Sequence, residues 1–123
     1  MSEQTMALAR EGFGAWQRGD FATLEAMLDP DVQWRWFEPG EWDCHSRDDV
    51  MRTLRERFEQ GFAASELEFL DAGEDSVIVV AHPAAVGVEG WPEEAATLIT
   101  FRHGKVTTMQ DHRTKEEALA AVR

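Results

Sequence analysis

The order of helical and strand patterns constrains this chain most. Three stretches with apolar residues at three- and four-residue spacing come early, and one alternating stretch follows the second of them. Four consecutive strand patterns and a closing helical pattern complete the chain. Helical runs followed by strand runs are typical of an α+β fold with an antiparallel sheet. We expect this sheet to curve around the long helices and enclose a pocket, one sheet face supplying its walls.

The helical predictions rest on apolar stripes and on capping residues. Gly19 ends the first helix and Asp20 begins the second, which Pro30 prevents from continuing. Ser46 caps the third helix, and Thr114 caps the last. The predicted helices run from Ser2 to about Arg18, from Phe21 to about Leu28, from Ser46 through the stripe Val50, Leu54, Phe58 and Phe62, and over TKEEALAAV.

The strand predictions rest on alternation between turn signals. They are Val32–Phe37, Glu66–Leu70, Ser76–His82, Ala95–Arg102 and Val106–His112, with His103–Gly104 as a two-residue hairpin turn. The stretch SVIVVAH is apolar on both faces, which predicts a central strand covered on both sides. Because two strands carry more apolar surface than one interior covers, we expect a homodimer formed through the outer sheet face.

Length and composition predict one domain over residues 1–123. The chain has 123 residues, 43% of them hydrophobic, which suffices for one core and excludes a disordered chain. No apolar run has the length of a membrane span, and the start MSEQTMALAREGF does not resemble a signal peptide. One cysteine, Cys44, excludes a disulfide framework within the chain. These features predict a cytoplasmic protein.

The charge excludes two classes of partner. The chain has 24 acidic and 12 basic residues, a formal net charge of −12, and neither Lys nor Arg occurs between Phe58 and Phe101. Because binding to nucleic acid or to an anionic membrane needs clustered cations, we expect neither.

Three passages together resemble the SnoaL-like branch of the nuclear transport factor 2-like superfamily. They are FGAWQRGDFATLEAMLDPDVQW, SRDDVMRTL and ATLITFRHGKVTTMQDHRTKEEALAAV. The resemblance implies a cone-shaped α+β barrel, in which a mostly antiparallel sheet wraps on three N-terminal helices, with a deep pocket and commonly a dimer. The superfamily includes polyketide cyclases, ketosteroid isomerases, limonene epoxide hydrolases and non-catalytic binders, so the fold alone does not determine the function.

The catalytic groups of two of these enzymes are missing here. Where the resemblance implies the tyrosine and two aspartates of a ketosteroid isomerase, this sequence has Gly12, Trp36 and Thr97. A limonene epoxide hydrolase needs an Arg-x-Asp pair on a middle strand, which VIVVAHPAA lacks, although Asp111 matches its last-strand aspartate. A SnoaL-type cyclase relies mainly on one carboxylic acid, a role that Asp111 fits.

Asp111 and His82 are the candidate catalytic residues. An apolar pocket would raise the pKa of the Asp111 carboxyl, which could then exchange protons near neutral pH. His82 ends the apolar strand SVIVVAH, which we expect to lie two strands away from the strand of Asp111. Because that lateral separation is about 10 Å, His82 could face Asp111 across a small ligand. Structural roles remain open for both: Asp111 bonded to backbone amides or Arg113, and His82 bonded to a backbone carbonyl.

Aromatic side chains supply the candidate ligand-binding residues. Trp34 and Trp36 share one strand face, and Trp42 lies in a polar loop at a pocket mouth or a dimer contact. Trp16, on the first helical stripe, and His45 complete the set: Trp34, Trp36, Trp42, His45 and Trp16. Core packing remains the alternative for the tryptophans.

No cofactor or metal is predicted. The chain has no phosphate-binding glycine loop, HExxH or CxxC, and Cys44 with His45 lacks both an orienting acid and further metal ligands. Two functions stay open: a cofactor-independent acid/base enzyme acting on a small apolar molecule, and a non-catalytic binding or dimerisation module. A pocket lined by Asp111 and His82 favours the first, and one filled by Trp34, Trp36 and phenylalanines favours the second.

Overall fold

A computed structural model describes residues 2–36, 40, 43–61, 67–82 and 94–122. Four helices and five strands lie in this part of the chain. In order they are α1 (Ser2–Gln17), α2 (Phe21–Met27), β1 (Leu28–Arg35), α3 (Arg47–Glu59), β2 (Leu67–Asp71), β3 (Ser76–Ala81), β4 (Ala95–Arg102), β5 (Lys105–His112) and α4 (Lys115–Ala121).

The helix starts follow the predicted caps. The Ser46 hydroxyl accepts the backbone N–H of Asp49 at 3.2 Å, and the Thr114 hydroxyl accepts that of Glu117 at 3.1 Å. An accepted hydrogen bond at this position satisfies one of the N–H groups that a helix start leaves without an intrahelical partner. Phe62, predicted as the last member of the α3 stripe, lies outside the described residues.

The five strands form one mixed sheet in the order β1-β5-β4-β3-β2, which does not close into a barrel. Three of the four pairings are antiparallel, and β1 pairs with β5 in parallel. The α+β class and the mostly antiparallel sheet are therefore confirmed.

β3 is covered on both faces, as predicted. One face packs on the core beneath α1, α2 and α3, which includes Val77 and Val79. The other face carries Ile78 and Val80 and packs on α4 through Ala118. We call these the inner and outer faces of the sheet. The inner face carries Thr97 and Asp111, which form one cross-strand pair.

β1 differs from its predicted bounds. It begins at Leu28, directly after α2, rather than at Val32, and it ends at Arg35. Pro30 lies inside it, and the β1–β5 register shifts between Leu28 and Gln33. Proline is tolerated because β1 is the edge strand and the shift removes the need for its N–H in the ladder.

The β4–β5 connection is the predicted two-residue turn. His103 has φ 54° and Gly104 has φ 78°. Positive φ at both central residues matches the right-handed twist of a hairpin, and glycine adopts it without steric cost.

Candidate functional site

A buried carboxyl stands at the centre of the candidate site. Asp111 lies near the end of β5 on the inner face and is 8% exposed. Its Oδ1 accepts the indole N–H of Trp34 at 2.9 Å and the hydroxyl of Thr97 at 2.8 Å. These hydrogen bonds come from the two strands that flank β5, so the sheet itself orients the carboxyl. Both of them fall on the same oxygen.

A guanidinium completes this polar group. The Arg57 Cζ lies 4.6 Å from the ring centroid of Trp34 and 5.4 Å from that of Trp36. Trp34 therefore contacts Asp111 through its N–H and Arg57 through its ring face. We call Trp34, Arg57, Thr97 and Asp111 the Asp111 cluster.

The environment of the cluster shifts the pKa of the Asp111 carboxyl upward. Burial raises the pKa of Asp111 above its ordinary value, because the charged form loses hydration. The Trp34 hydrogen bond, the Arg57 charge, the Thr97 hydrogen bond and the His112 charge oppose this rise, in decreasing order. Burial also lowers the pKa of Arg57, and the charges of Asp111 and Cys44 oppose that shift.

A separate apolar cavity of about 50 Å³ lies between the helices and the inner face. A cavity known to hold benzene has a volume of about 150 Å³, so this one accommodates a short aliphatic group. Its lining is entirely apolar, and flexible methionines at two positions give it some adaptability. The lining residues are Leu8, Ala9, Gly12, Phe13, Trp16, Leu24, Met27, Leu28, Leu54, Ile99, Phe101, Val106 and Met109.

The cavity and the Asp111 cluster are neighbours along β4 and β5. Ile99 and Met109 form one cross-strand pair, and Thr97 and Asp111 form the next pair on the same face. Residues two apart on a strand are separated by about 7 Å. Asp111 does not itself line the cavity. The inner face thus changes from apolar to polar within a single step along the strands.

His82 lies one residue beyond the end of β3, which stops at Ala81. Val79 belongs to the core on the inner face and pairs with Thr97, which in turn pairs with Asp111. The approach of His82 to Asp111 across a ligand stays a prediction. His112 pairs with Ala96 on the outer face, as its position next to Asp111 predicts.

The predicted ligand-binding residues separate into three places. Trp16 lines the cavity, and its indole N–H donates to the Leu54 carbonyl at 2.9 Å. Trp34 and Trp36 lie against Arg57 instead. His45 is exposed beside the start of α3, and Trp42 lies outside the described residues. The cavity is therefore lined neither by Asp111 and His82 nor by Trp34 and Trp36.

Cys44 is a buried thiol beside the cluster. Its backbone forms two hydrogen bonds with that of Trp34, at 3.0 and 2.7 Å, on the edge of β1 that faces away from β5. Its Sγ lies 3.4 Å from the Thr53 hydroxyl oxygen. Burial raises the pKa of the thiol, and a nucleophilic cysteine needs the opposite shift.

Sequence reasoning missed Arg57 and assigned no role to Thr97. The signal for Arg57 is its position on α3, seven residues after Val50 and three after Leu54. Those spacings place it on the apolar stripe. A cation on an apolar stripe is unusual, and here it packs against indole rings.

The described ranges contain no group of three or more His, Cys, Asp or Glu side chains suited to a metal ion. None of their helices has the length and apolar character that a membrane crossing requires.

Solved structures with a similar fold define the class of protein. An NTF2-like protein from Burkholderia xenovorans LB400 is 21% identical, with a TM-score of 0.66, over 99% of this chain and 97% of that one. A candidate ketosteroid isomerase from Kribbella flavida DSM 17836 is 23% identical, with a TM-score of 0.66, over 89% and 77%. A candidate polyketide cyclase from Sinorhizobium meliloti is 16% identical, with a TM-score of 0.66, over 91% and 99%. The fold is therefore the cone-like α+β fold of nuclear transport factor 2-like proteins.

The family follows from the sequence. The SnoaL-like domain model matches residues 9–109, and the chain belongs to this family. Asp111 lies two residues beyond the matched segment. No curated protein matches the chain in sequence.

Proposed function

We propose that this protein is a cofactor-independent acid/base enzyme that acts on a small, mostly apolar molecule, with Asp111 as the group that exchanges protons. One observation carries the proposal. Asp111 is a buried carboxyl that accepts two hydrogen bonds from described residues, both on Oδ1, and it lies one cross-strand pair away from an apolar cavity. The reaction type is a cyclisation, an isomerisation or a hydrolysis.

The hydrogen bonds assign different roles to the two oxygens of Asp111. Oδ1 holds the carboxyl in place through Trp34 and Thr97. Oδ2 is then the atom that carries the proton, donating it when neutral and accepting one when ionised. A carboxyl whose pKa is raised keeps both forms accessible nearer to neutral pH, which is the condition for efficient proton transfer.

Proton transfer can be tested before a product is known. We suggest measuring exchange of carbon-bound hydrogen in D₂O by NMR, with acetone as the probe, because its size suits a cavity that accommodates a short aliphatic group. The wild-type protein should accelerate exchange, and Asp111→Asn should reduce the acceleration by about 10²-fold or more. Asp31→Asn, at an exposed position of β1, is the matched control. Equal exchange rates in wild type and Asp111→Asn would exclude Asp111 as the base that removes a carbon-bound proton.

A non-catalytic binding module is the second candidate function. The observation that favours it is the purely apolar lining of the cavity, which includes neither Asp111 nor His82. Such a site binds through apolar burial and needs no proton transfer. Binding of an apolar molecule that shifts the melting temperature, without exchange on any probe, would favour this function.

A homodimer through the outer sheet face remains part of the proposal. Leu70 and Leu98 on this face are only partly buried, although Ile78, Val80 and Ala96 are covered. α4 supplies part of that cover through Ala118, so a partner would extend it. Light scattering at micromolar concentration should give twice the chain mass, and a monomer would refute the dimer.

A cytoplasmic location likewise stays a prediction.

A further inference from the structure

We propose that Arg57 is a positioning residue for Asp111: it holds the Trp34 ring whose N–H donates to the carboxyl, and its positive charge stabilises the ionised carboxylate. The inference rests on the proposed function for its catalytic meaning, because it concerns how readily Asp111 ionises. It adds to that function a residue on α3 that does not line the cavity.

The position of Trp34 between the other two side chains is the first support. Its indole N–H donates to Oδ1 of Asp111 at 2.9 Å, and the guanidinium carbon of Arg57 lies 4.6 Å from its ring centroid. Both contacts belong to one rigid ring, so a tilt of the ring would change them together. A cation within about 6 Å of an indole centroid is attracted to the ring. Arg57 therefore opposes rotation of the Trp34 ring away from the carboxyl.

The cost of a charge at this position is the second support. Arg57 lies on the apolar stripe of α3 with Val50 and Leu54, and burial disfavours its charged form by lowering its pKa. An apolar side chain could pack against the same rings without that cost. Among the described residues, the groups that favour its charge are Asp111 and Cys44, and burial raises the pKa of that thiol. Packing alone therefore does not require a cation here.

The charges that act on the carboxyl are the third support. Among the described residues they are Arg57 from α3 and His112 from the next position of β5, and Arg57 has the larger effect. The two hydrogen-bond donors, Trp34 from β1 and Thr97 from β4, carry no charge. Burial alone would favour a neutral carboxyl, whereas a nearby cation favours the ionised one. Such opposing influences keep both forms accessible, as a group that exchanges protons requires.

Titration of the Asp111 carboxyl by ¹³C NMR tests the proposal without any substrate, and Asp111→Asn identifies the signal by its loss. Arg57→Met and Arg57→Gln should both shift the midpoint to higher pH, because the carboxylate loses its cation. Arg57→Lys should give a midpoint between those of wild type and Arg57→Met, since it keeps the charge and loses the planar guanidinium. Glutamine is the second neutral variant should methionine disturb folding. All of these Arg57 variants keep His112, so its charge contributes equally.

A double-mutant cycle tests whether Arg57 acts through Trp34. Trp34→Phe alone should also shift the midpoint to higher pH, because the ionised carboxyl loses a donor. In that background Arg57→Met removes only the direct effect of the charge. The shift of the double variant should therefore be smaller than the sum of the two single shifts. Additive shifts would overturn the positioning role.

Arg55→Met is the matched control. Arg55 is exposed on the same helix, and its guanidinium carbon lies 4.8 Å from the Phe21 ring centroid. The variant removes the same formal charge as Arg57→Met and should leave the midpoint of Asp111 unchanged. Unchanged midpoints in both Arg57→Met and Arg57→Gln, or equal shifts in Arg55→Met and Arg57→Met, would overturn the proposal.

The carboxyl titration separates this proposal from the proposed function. It measures Asp111 directly and needs no exchange activity. A wild type that does not accelerate acetone exchange would contradict the enzyme, and the midpoints would still decide on Arg57. Where exchange is accelerated, the pH profile of its rate should move in Arg57→Met to higher pH by the same amount as the carboxyl titration. A profile identical to that of wild type would overturn the role of Arg57 in proton transfer.

Discussion

Trp34 and Asp111 are joined by a hydrogen bond of 2.9 Å across a sequence separation of 77 residues. Among the described residues, the indole N–H is one of two donors to the carboxyl, and Arg57 packs against the same ring. The pairing of β1 with β5 therefore places Trp34 where it contacts both Asp111 and Arg57.

Trp34→Phe should separate the hydrogen bond from the packing of the ring. Phenylalanine keeps an aromatic face for Arg57 but lacks the N–H, so the free energy of unfolding should fall by about 1–3 kcal/mol. Urea denaturation with an unchanged m value would measure this loss. Trp36→Phe is the control, because Trp36 also faces Arg57 but donates no hydrogen bond to the Asp111 carboxyl. Equal losses in the two variants would argue against a specific role for the Trp34 N–H.

Asp111→Asn should change how stability depends on pH. Because the folded-state pKa of Asp111 is raised, the folded protein binds more protons than the unfolded chain above the ordinary value of 3.8. The contribution of this carboxyl to stability is therefore fully present below that value and is lost as the pH rises through the folded-state pKa. Asparagine removes the titration, so the melting temperature of Asp111→Asn should rise relative to wild type as the pH increases.

Thermal melts between acidic and neutral pH measure this difference. Asp31→Asn serves as the exposed-site control. A melting temperature several degrees below wild type at neutral pH, with ligand binding unchanged, would instead identify Asp111 as a structural acid that stabilises the fold through its charge.

Gly12→Ala should both stabilise the protein and narrow the cavity. Gly12 lies in α1 and lines the cavity, and an added Cβ would meet the Met27 side chain at 3.6 Å, an ordinary contact. Replacing a helical glycine with alanine should raise the free energy of unfolding by about 0.5–1 kcal/mol. Gly14→Ala should stabilise α1 similarly, but Gly14 does not line the cavity. Weaker xenon binding in Gly12→Ala alone, measured by NMR, would show that Gly12 sets the free volume of the cavity, and equal binding in both variants would contradict this.

The Cys44 thiol should react slowly in the folded protein. Its side chain is buried, and burial raises its pKa, so little thiolate is accessible at neutral pH. Labelling with iodoacetamide, followed by mass spectrometry, should be much faster in urea than in buffer. Rapid labelling under native conditions would indicate that the two backbone hydrogen bonds between Trp34 and Cys44 open locally.

The fold could be predicted much further than the site. Apolar periodicity and caps are local signals, so the helix start at Ser46 and the His103–Gly104 turn could be predicted from neighbouring residues. The start of β1 at Leu28 could not be predicted in this way. Pro30 ordinarily indicates a break, but an edge strand with a register shift tolerates it.

The site depends on contacts between distant elements. Asp111 could be proposed as a catalytic residue because it lies in one of the passages that resemble the family. Its hydrogen bonds to Trp34 and Thr97 could not be predicted, because they depend on strand register. The predicted approach of His82 to Asp111 concerns a residue beyond the end of β3 at Ala81, where alternation along the strand no longer determines the direction of a side chain. Arg57 reaches the site from α3, a contact that no local pattern specifies.

The parallel pairing of β1 with β5 also has a consequence for how the chain reaches this structure. β1 belongs to the first third of the chain, and its partner β5 is the last strand. During synthesis β1 can therefore pair only after β5 has left the ribosome, and closing so long a loop is slow. We expect the β2–β3–β4–β5 meander to form first and the addition of β1 to be a late folding step, so that the polar cluster is among the last parts of the molecule to assemble.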